Sequence, residues 1–485
     1  MAKQADTNVK KAKVLGLLPL TALVIGSMIG SGVFNLMQDI SAGAALVAVL
    51  IGWAITGLGM LFLVLSFRNL NKKRPDLDAG IYSYAQAGFG KYMGFNSAWG
   101  YWISAWIGNV AYATILFSSL GYFFKVFGDG QNLAAVIGAS VMLWLVHLLI
   151  IRGFRTAGIV NVFITAAKLI PIAIFILATF AAFKLNIFTA DIWGNGLETT
   201  NLLEQVKSTM LITVWVFIGI EGAVVFSGRA KKRSNVPTAT FLGFFTVLAI
   251  YVLMTVLSLG VQTNPQLAAL GQPAMAGVLE AVVGPWGAVL VNIGLIVSVV
   301  GAWMAWTMFA AELPYQAAKK KTFPAIFAKE NSQNVPWVSL TITNLLIQSF
   351  LLLFLLPQLQ AYSFMYSLAT STILIPYAFT ALYQLKYSLK EKAGTPGRGV
   401  NILIGLAALA YAVWLLYAAG FEYLLLTVLL YGPGLLVYVL MGLKKPTKIL
   451  TKYEAVAAVV IIALFAYALW SLITPDQMLN TTMFA

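Results

Sequence analysis

Long apolar runs alternate with short polar punctuation along almost the whole chain. Thirteen of these runs are long enough to cross ~30 Å of hydrocarbon as helices: 14–37, 43–67, 92–124, 132–151, 156–183, 206–228, 238–262, 286–312, 336–356, 361–385, 400–420, 422–443 and 454–473. The stretch from Asp76 to Lys91 is too polar to span and predicts a short helix at the membrane face leading into the third run. From Tyr315 to Gln333, a lysine triplet and Phe323-Pro324 predict an amphipathic surface connection.

Two runs are interrupted. The first carries Gly26-Ser27-Met28-Ile29-Gly30-Ser31-Gly32-Val33-Phe34, although glycine costs about 1 kcal/mol against alanine in a helix interior. Such a stretch predicts a helix that breaks at Gly30-Ser31-Gly32, so that freed amides and the positive end of the next half-helix face an anionic group at mid-membrane. Gly26 and Gly30 are also spaced as a helix-packing face, the competing reading. The sixth run repeats the theme with Trp215-Val216-Phe217-Ile218-Gly219-Ile220-Glu221-Gly222. An isolated carboxylate there is costly and needs a partner or an aqueous cavity. Broken segments five spans apart run in opposite directions, the arrangement of an inverted repeat whose two breaks meet at a central site.

Composition changes the picture by exclusion. Hydrophobic residues make up 60% of 485 and charged residues 10%, and the mean hydropathy is +0.86, which fits a polytopic membrane protein. The absence of cysteine excludes disulfides, zinc thiolates and iron-sulfur clusters, and no metal or other cofactor is expected. The first run is long, follows Lys10, Lys11 and Lys13, and lacks a small-residue cleavage site, so no cleavable signal is expected. The net charge of +15 does not point to nucleic acid, because the basic residues form short clusters after every second apolar run, leaving only Lys91, Lys125, Lys168, Lys184 and Lys207 outside them. All clusters then fall on one side, the cytoplasmic one. The N-terminal 1–13 would be cytoplasmic and the C-terminus external. His147, the only histidine, reads as a packed or interhelical hydrogen-bonding residue. Glu312 and Glu330 read as partners of nearby lysines, and Arg229 to Arg233 as a topology anchor. No GxxxxGK[ST] loop is present for ATP-driven transport, and a membrane-embedded enzyme would want a cluster of intramembrane acid, base or nucleophile groups.

The stretches Gly26 to Phe34, Asp78-Ala79-Gly80-Ile81-Tyr82-Ser83-Tyr84-Ala85, Trp102 to Asn109, and Trp215 to Glu221 resemble the amino acid/polyamine/organocation superfamily, and within it the basic amino acid antiporters. The resemblance covers nearly the whole chain. It implies an all-α leucine-transporter-type fold, with 14–183 and 206–385 as inverted repeats and 400–473 as peripheral helices. It further implies exchange of a cationic amino acid for a metabolic product, arginine for ornithine first, with histidine for histamine or another amino acid and its amine as the alternative. Small amino acids or amines and the bilayer are the expected partners, with homodimer formation allowed.

Residue by residue, the resemblance implies a carboxylate held by amides around Ser31 and Gly32, beside Met28, Ile29 and Gly30. Carbonyls near Trp215 and Ile218 would hold the α-ammonium, and Trp303 would lie along the side chain. In the third span Tyr101, Ala105, Asn109 and Tyr112 share one face, with Ser104 beside them and Asn109 as the polar member reaching substrate. Glu221 would sense or balance substrate charge. Tyr82, Phe95, Tyr101, Trp215 and Tyr377 would gate the site, Phe95 standing where a tyrosine is expected. Ala369, beside Thr370, stands where relatives carry a serine, as does Val216. Lys168 lies too deep in the fifth span to snorkel and needs carbonyl or carboxylate partners. Similarity to sodium-independent relatives implies a tethered cation bridging to carbonyls around Gly26 to Ile29. The alternative is a lysine facing a wet crevice.

Overall fold

A computed structural model describes residues 15–77, 80–227, 230–353, 355, 362–442, 450–475 and 477–479, with only the backbone described at 154–161. Asp78-Ala79, Arg229, most of the cluster from Lys444 and the last six residues from Asn480 therefore lie outside the described residues. Ten helices are long and apolar enough to cross a bilayer among the described residues. One of them, Arg398–Gly442, is two: Gly420 at φ 80 and ψ 157 leaves the helical region, and a straight 45-residue rod would reach ~68 Å, twice the hydrocarbon thickness. The chain folds back there. Gln384 donates to the Asn401 carbonyl, Phe364 meets Tyr423, and Tyr431 donates to the Thr372 carbonyl, so the two halves run down and back along Tyr362–Lys390. The remaining two crossings are the interrupted sixth segment and the 17-residue helix Trp337–Leu353.

The first and sixth segments lie antiparallel. At one end Lys231 donates its amide to the Leu15 carbonyl, and at the other Gln205 accepts from the Ala45 amide. This opposition, expected from the odd spacing of the interrupted runs, places the two breaks against one another.

The basic clusters gather at the Leu15 end. Lys73 pairs with Glu391, Arg74 with Asp76 and Tyr383, Arg233 donates to the carbonyls of Asn71 and Pro75, and Lys319 pairs with Glu330. Glu454, at the start of the last helix Lys452–Ile473, caps the Tyr92 amide at this same end, so that helix finishes at the opposite one.

Two proline-containing helices run further than their sequence suggests. Pro285–Lys319 continues for 35 residues through Pro314, where a surface connection was expected from Tyr315. Proline removes the bond to the carbonyl four residues back, and Thr343 donates its hydroxyl to that Ala310 carbonyl at 3.3 Å while Ser339 serves Ala311 at 2.7 Å. At Pro376 the orphaned Thr372 carbonyl takes the Tyr431 hydroxyl at 3.0 Å. Side chains from neighbouring helices thus replace the lost ladder bonds. His147 sits in the scaffold as expected, its ring nitrogen 3.1 Å from the Asn344 amide.

Candidate functional site

Helix Leu17–Met28 ends, and Gly32–Ser41 begins after three residues. The Ile29 and Gly30 amides still find acceptors at Ile25 and Met28. The amides of Ser31, Gly32 and Val33 donate to nothing among the described residues. They are the first turn of the outer half-helix, where orphan donors and the positive end of the dipole coincide.

The sixth segment provides the opposite charge. Its first half ends at Trp215, and its second begins at Gly222. The Trp215 carbonyl takes the Ile218 amide at 3.1 Å and the Val216 carbonyl takes the Tyr251 hydroxyl at 3.0 Å. The Ile218 carbonyl accepts no hydrogen bond among the described residues. Of the two carbonyls expected from sequence, only that of Ile218 is thus without a partner.

Close approach makes the glycines necessary. A Cβ on Gly32 would lie 2.6 Å from Val216 and 2.9 Å from Trp215, and one on Gly30 would lie 2.5 Å from the Tyr112 hydroxyl. Gly219, at φ +110, lies where side chains are strained and would strike Ser27 as well.

Side chains from the scaffold fix the broken backbone. Lys168, fully buried, donates to the carbonyls of Gly26 (2.7 Å) and Ile29 (2.5 Å). The Ser298 hydroxyl lies 3.2 Å from the Ile29 carbonyl and 3.1 Å from that of Gly30. Tyr251 bridges Met28 (2.7 Å) and Val216 (3.0 Å), tying one break to the other. Trp306 donates to the Ser27 carbonyl, and Ser27 in turn to that of Gly219.

Aromatic rings close the outer side. Trp215 stands 5.8 Å from the Tyr112 ring and stacks on Tyr366 at 6.0 Å, which meets Tyr362 at 5.2 Å. The Tyr362 hydroxyl lies 2.8 Å from the Ser31 hydroxyl, a bolt from the tenth span onto the first break. Toward the basic end, Tyr377 donates to Glu221 at 2.7 Å, the Gly219 amide approaches the same oxygen at 3.3 Å, and Tyr101 stands beside that carboxylate. Glu221 is fully buried and its second oxygen has no partner among the described residues.

The other residues singled out from sequence divide into two groups. Asn109 donates to Thr307 at 3.2 Å and keeps its carbonyl oxygen unpartnered in the buried interior, where the Trp303 indole N–H and the Ser104 hydroxyl are likewise without acceptors among the described residues. Ala105 and Ala369 are fully buried and offer only shape, and Thr370 spends its hydroxyl on the Tyr366 carbonyl of its own helix. Tyr82 is buried on the short helix Ile81–Phe89. Phe95 stacks with Trp99 and Phe323 and meets Tyr438 at a tilt, in a cluster toward the basic end, away from the breaks. Sequence reading missed Tyr251, Ser298, Tyr362 and Tyr366. The only signal for them was the i, i+4 spacing of the two tyrosines at the start of the tenth run.

Opposed half-helix ends, one offering amides and the other a carbonyl, are the arrangement found in carriers of small zwitterionic molecules. The amino acid permease family model matches residues 15–465, and the chain belongs to that family. It is 50% identical over 468 residues to the arginine/ornithine antiporter of Pseudomonas aeruginosa, covering 94% of this chain and 97% of that protein. The arginine/ornithine antiporter of Latilactobacillus sakei is 45% identical over 438 residues, 89% of this chain and 91% of its own. The arginine/agmatine antiporter of Chlamydia abortus is 41% identical over 469 residues, 94% of this chain and 96% of its own.

Proposed function

We propose that this protein exchanges arginine for ornithine across the cell membrane by alternating access, without sodium. The observation that carries the reading is the pairing of three unpartnered amides at Ser31–Val33 with the unpartnered Ile218 carbonyl across the touching breaks. In this reading the amides hold the α-carboxylate and the carbonyl holds the α-ammonium. The side chain lies among Trp215, Trp303 and Ser104, with the Asn109 oxygen as an acceptor for a cationic head. Arginine and ornithine share the α-carboxylate and α-ammonium and differ only at that head, so one backbone site serves both.

Residues 14–183 and 206–385 form the two repeats of this mechanism, and 400–473 stand outside it. The bolt from Tyr362 to Ser31 and the stack on Trp215 close the outer path, while Tyr377, Glu221 and Tyr101 close the inner one. Release of one set at a time gives the carrier its two faces. The N-terminus is cytoplasmic and the C-terminus external, following the basic clusters.

The second reading is exchange of arginine for its decarboxylation product, favoured by the arginine/agmatine antiporter of Chlamydia abortus. Agmatine lacks a carboxylate and carries one more positive charge than arginine, so that exchange moves net charge. Purified protein in liposomes separates the two. Labelled arginine should accumulate when ornithine is loaded inside, with no membrane potential built. A potential built by the preferred pair would overturn the arginine-for-ornithine reading.

A further inference from the structure

The end of the molecule remote from the basic clusters carries a cavity of about 730 Å³ that the exchange mechanism does not use. Its floor includes Tyr362, the residue bolted to Ser31, and its wall includes Ser118 of the third span. Two carboxylates line it, Asp129 and Glu280, and neither a lysine nor an arginine does among the described residues. Neither carboxylate has an ion-pair partner among the described residues. Two exposed acids alone would be a solvated rim.

Asn292 makes this more than a rim. It is 1% exposed and lines the same cavity, its amide nitrogen donates to the Ala288 carbonyl at 2.9 Å, and its carbonyl oxygen has no partner among the described residues. A buried acceptor left unmade costs about 1–3 kcal/mol, and a donor entering the cavity would remove that cost. Asn292 lies six residues, or ~9 Å along the helix, outward of Ser298 at the first break. Asp39, in the outer half-helix two turns outward of the first break and near Tyr362 and Tyr366, also keeps one buried oxygen unpartnered among the described residues. Asp129, Glu280 and Asn292 thus give this one cavity two carboxylates and a buried, unpartnered acceptor.

We propose that this vestibule is a second cation subsite, where Asn292, Asp129 and Glu280 take the guanidinium or primary ammonium head of an arriving substrate before Tyr362 releases Ser31. The identity of that substrate rests on the exchange reading above; the preference for a cationic head does not. A monovalent cation gains from two carboxylates in a cleft with low-dielectric walls, and such focusing raises local concentration and entry rate. The neutral amide makes the close contact, so the head is not held too tightly to move on.

The test uses the absence of native cysteine in the full chain. In a Ser118→Cys background, impermeant thiol reagents of opposite charge report the field in the cavity. Methylguanidinium, which lacks the α-carboxylate and α-ammonium that the central site requires, reports the subsite by slowing labelling. The cationic reagent should react faster than the anionic one by roughly tenfold, and Asp129→Asn with Glu280→Gln should bring the ratio near one. Methylguanidinium protection should disappear in Asn292→Leu and persist in Asn292→Asp, which keeps an acceptor and shows that the position tolerates change. Equal rates for both reagents, or protection unaffected by Asn292→Leu, would overturn the subsite. Methylguanidinium protection in a protein that fails to exchange arginine would uphold it and reject the exchange reading instead.

Discussion

Gly32 concentrates the argument at the residue scale, because the same atom position is required empty by packing and by chemistry. A side chain there meets Val216 at 2.6 Å and Trp215 at 2.9 Å, and in the exchange reading it would also cover the amides proposed to hold the carboxylate. Gly32→Val should therefore lose arginine binding by at least tenfold, more than 1.4 kcal/mol, while the detergent-solubilised protein still elutes as a single species. Near-normal affinity in a binding assay would defeat the carboxylate assignment. Lys168 poses a different question. Its ammonium serves two buried carbonyls at the break, so Lys168→Ala leaves that of Gly26 without this donor, at about 1–3 kcal/mol, and that of Ile29 with only the hydroxyl that Ser298 shares with Gly30. Exchange should fall more than expression does, and uptake by the unmodified protein should be insensitive to sodium. Full exchange by the variant, or sodium-stimulated uptake, would remove the tethered-cation role. Glu221→Gln keeps the shape that Tyr377 and the Gly219 amide surround but removes the charge. It should change the pH profile or charge selectivity of exchange, and an unchanged profile would return Glu221 to the scaffold.

Elements here are shaped by prolines and glycines whose neighbours complete them. Pro376 remains within a continuous helix because Tyr431, on the returning arm beyond Gly420, donates to the freed Thr372 carbonyl. Tyr431→Phe should cost roughly 1–3 kcal/mol, read as a lowered melting temperature, with the KM for arginine little changed because the hydroxyl serves the Thr372 carbonyl and neither break. A melting temperature equal to that of the unmodified protein would show that the carbonyl finds another donor. The same logic explains the boundary misjudged near Pro314. The lysine triplet and Phe323-Pro324 read as a surface connection from Tyr315, but Thr343 and Ser339 on the next span supply donors around Pro314, and the helix runs on to Lys319. No local pattern reveals a donor that arrives from another helix.

For the whole molecule, the first and last described helices start at the same, basic end, and the last one finishes at the other. With the basic end cytoplasmic, Thr474→Cys should react with an impermeant thiol reagent in intact cells, whereas Lys72→Cys should react only after lysis. The reverse pattern would invert the topology, and labelling of both in intact cells would break the count of crossings.

The apolar runs, the two interruptions and the basic clusters were legible in the sequence because each is local: span length follows hydrocarbon thickness, helix breaks follow glycine's cost, and orientation follows nearby charge. Lys168 was legible for the same reason, as a charge too deep to leave alone. Tertiary structure alone decided which broken ends stay unpaired. Tyr251 takes the Val216 carbonyl and leaves that of Ile218 open, Ser298 and Lys168 take carbonyls of the first break and leave the Ser31–Val33 amides open, and Tyr362 reaches Ser31 across 331 positions of sequence. It also drew Phe95 into an aromatic cluster away from the breaks and brought Asn292 to the wall of the outer cavity. A hydrogen bond between distant helices is specified by the packing of both, and neither helix carries that information in its own periodicity.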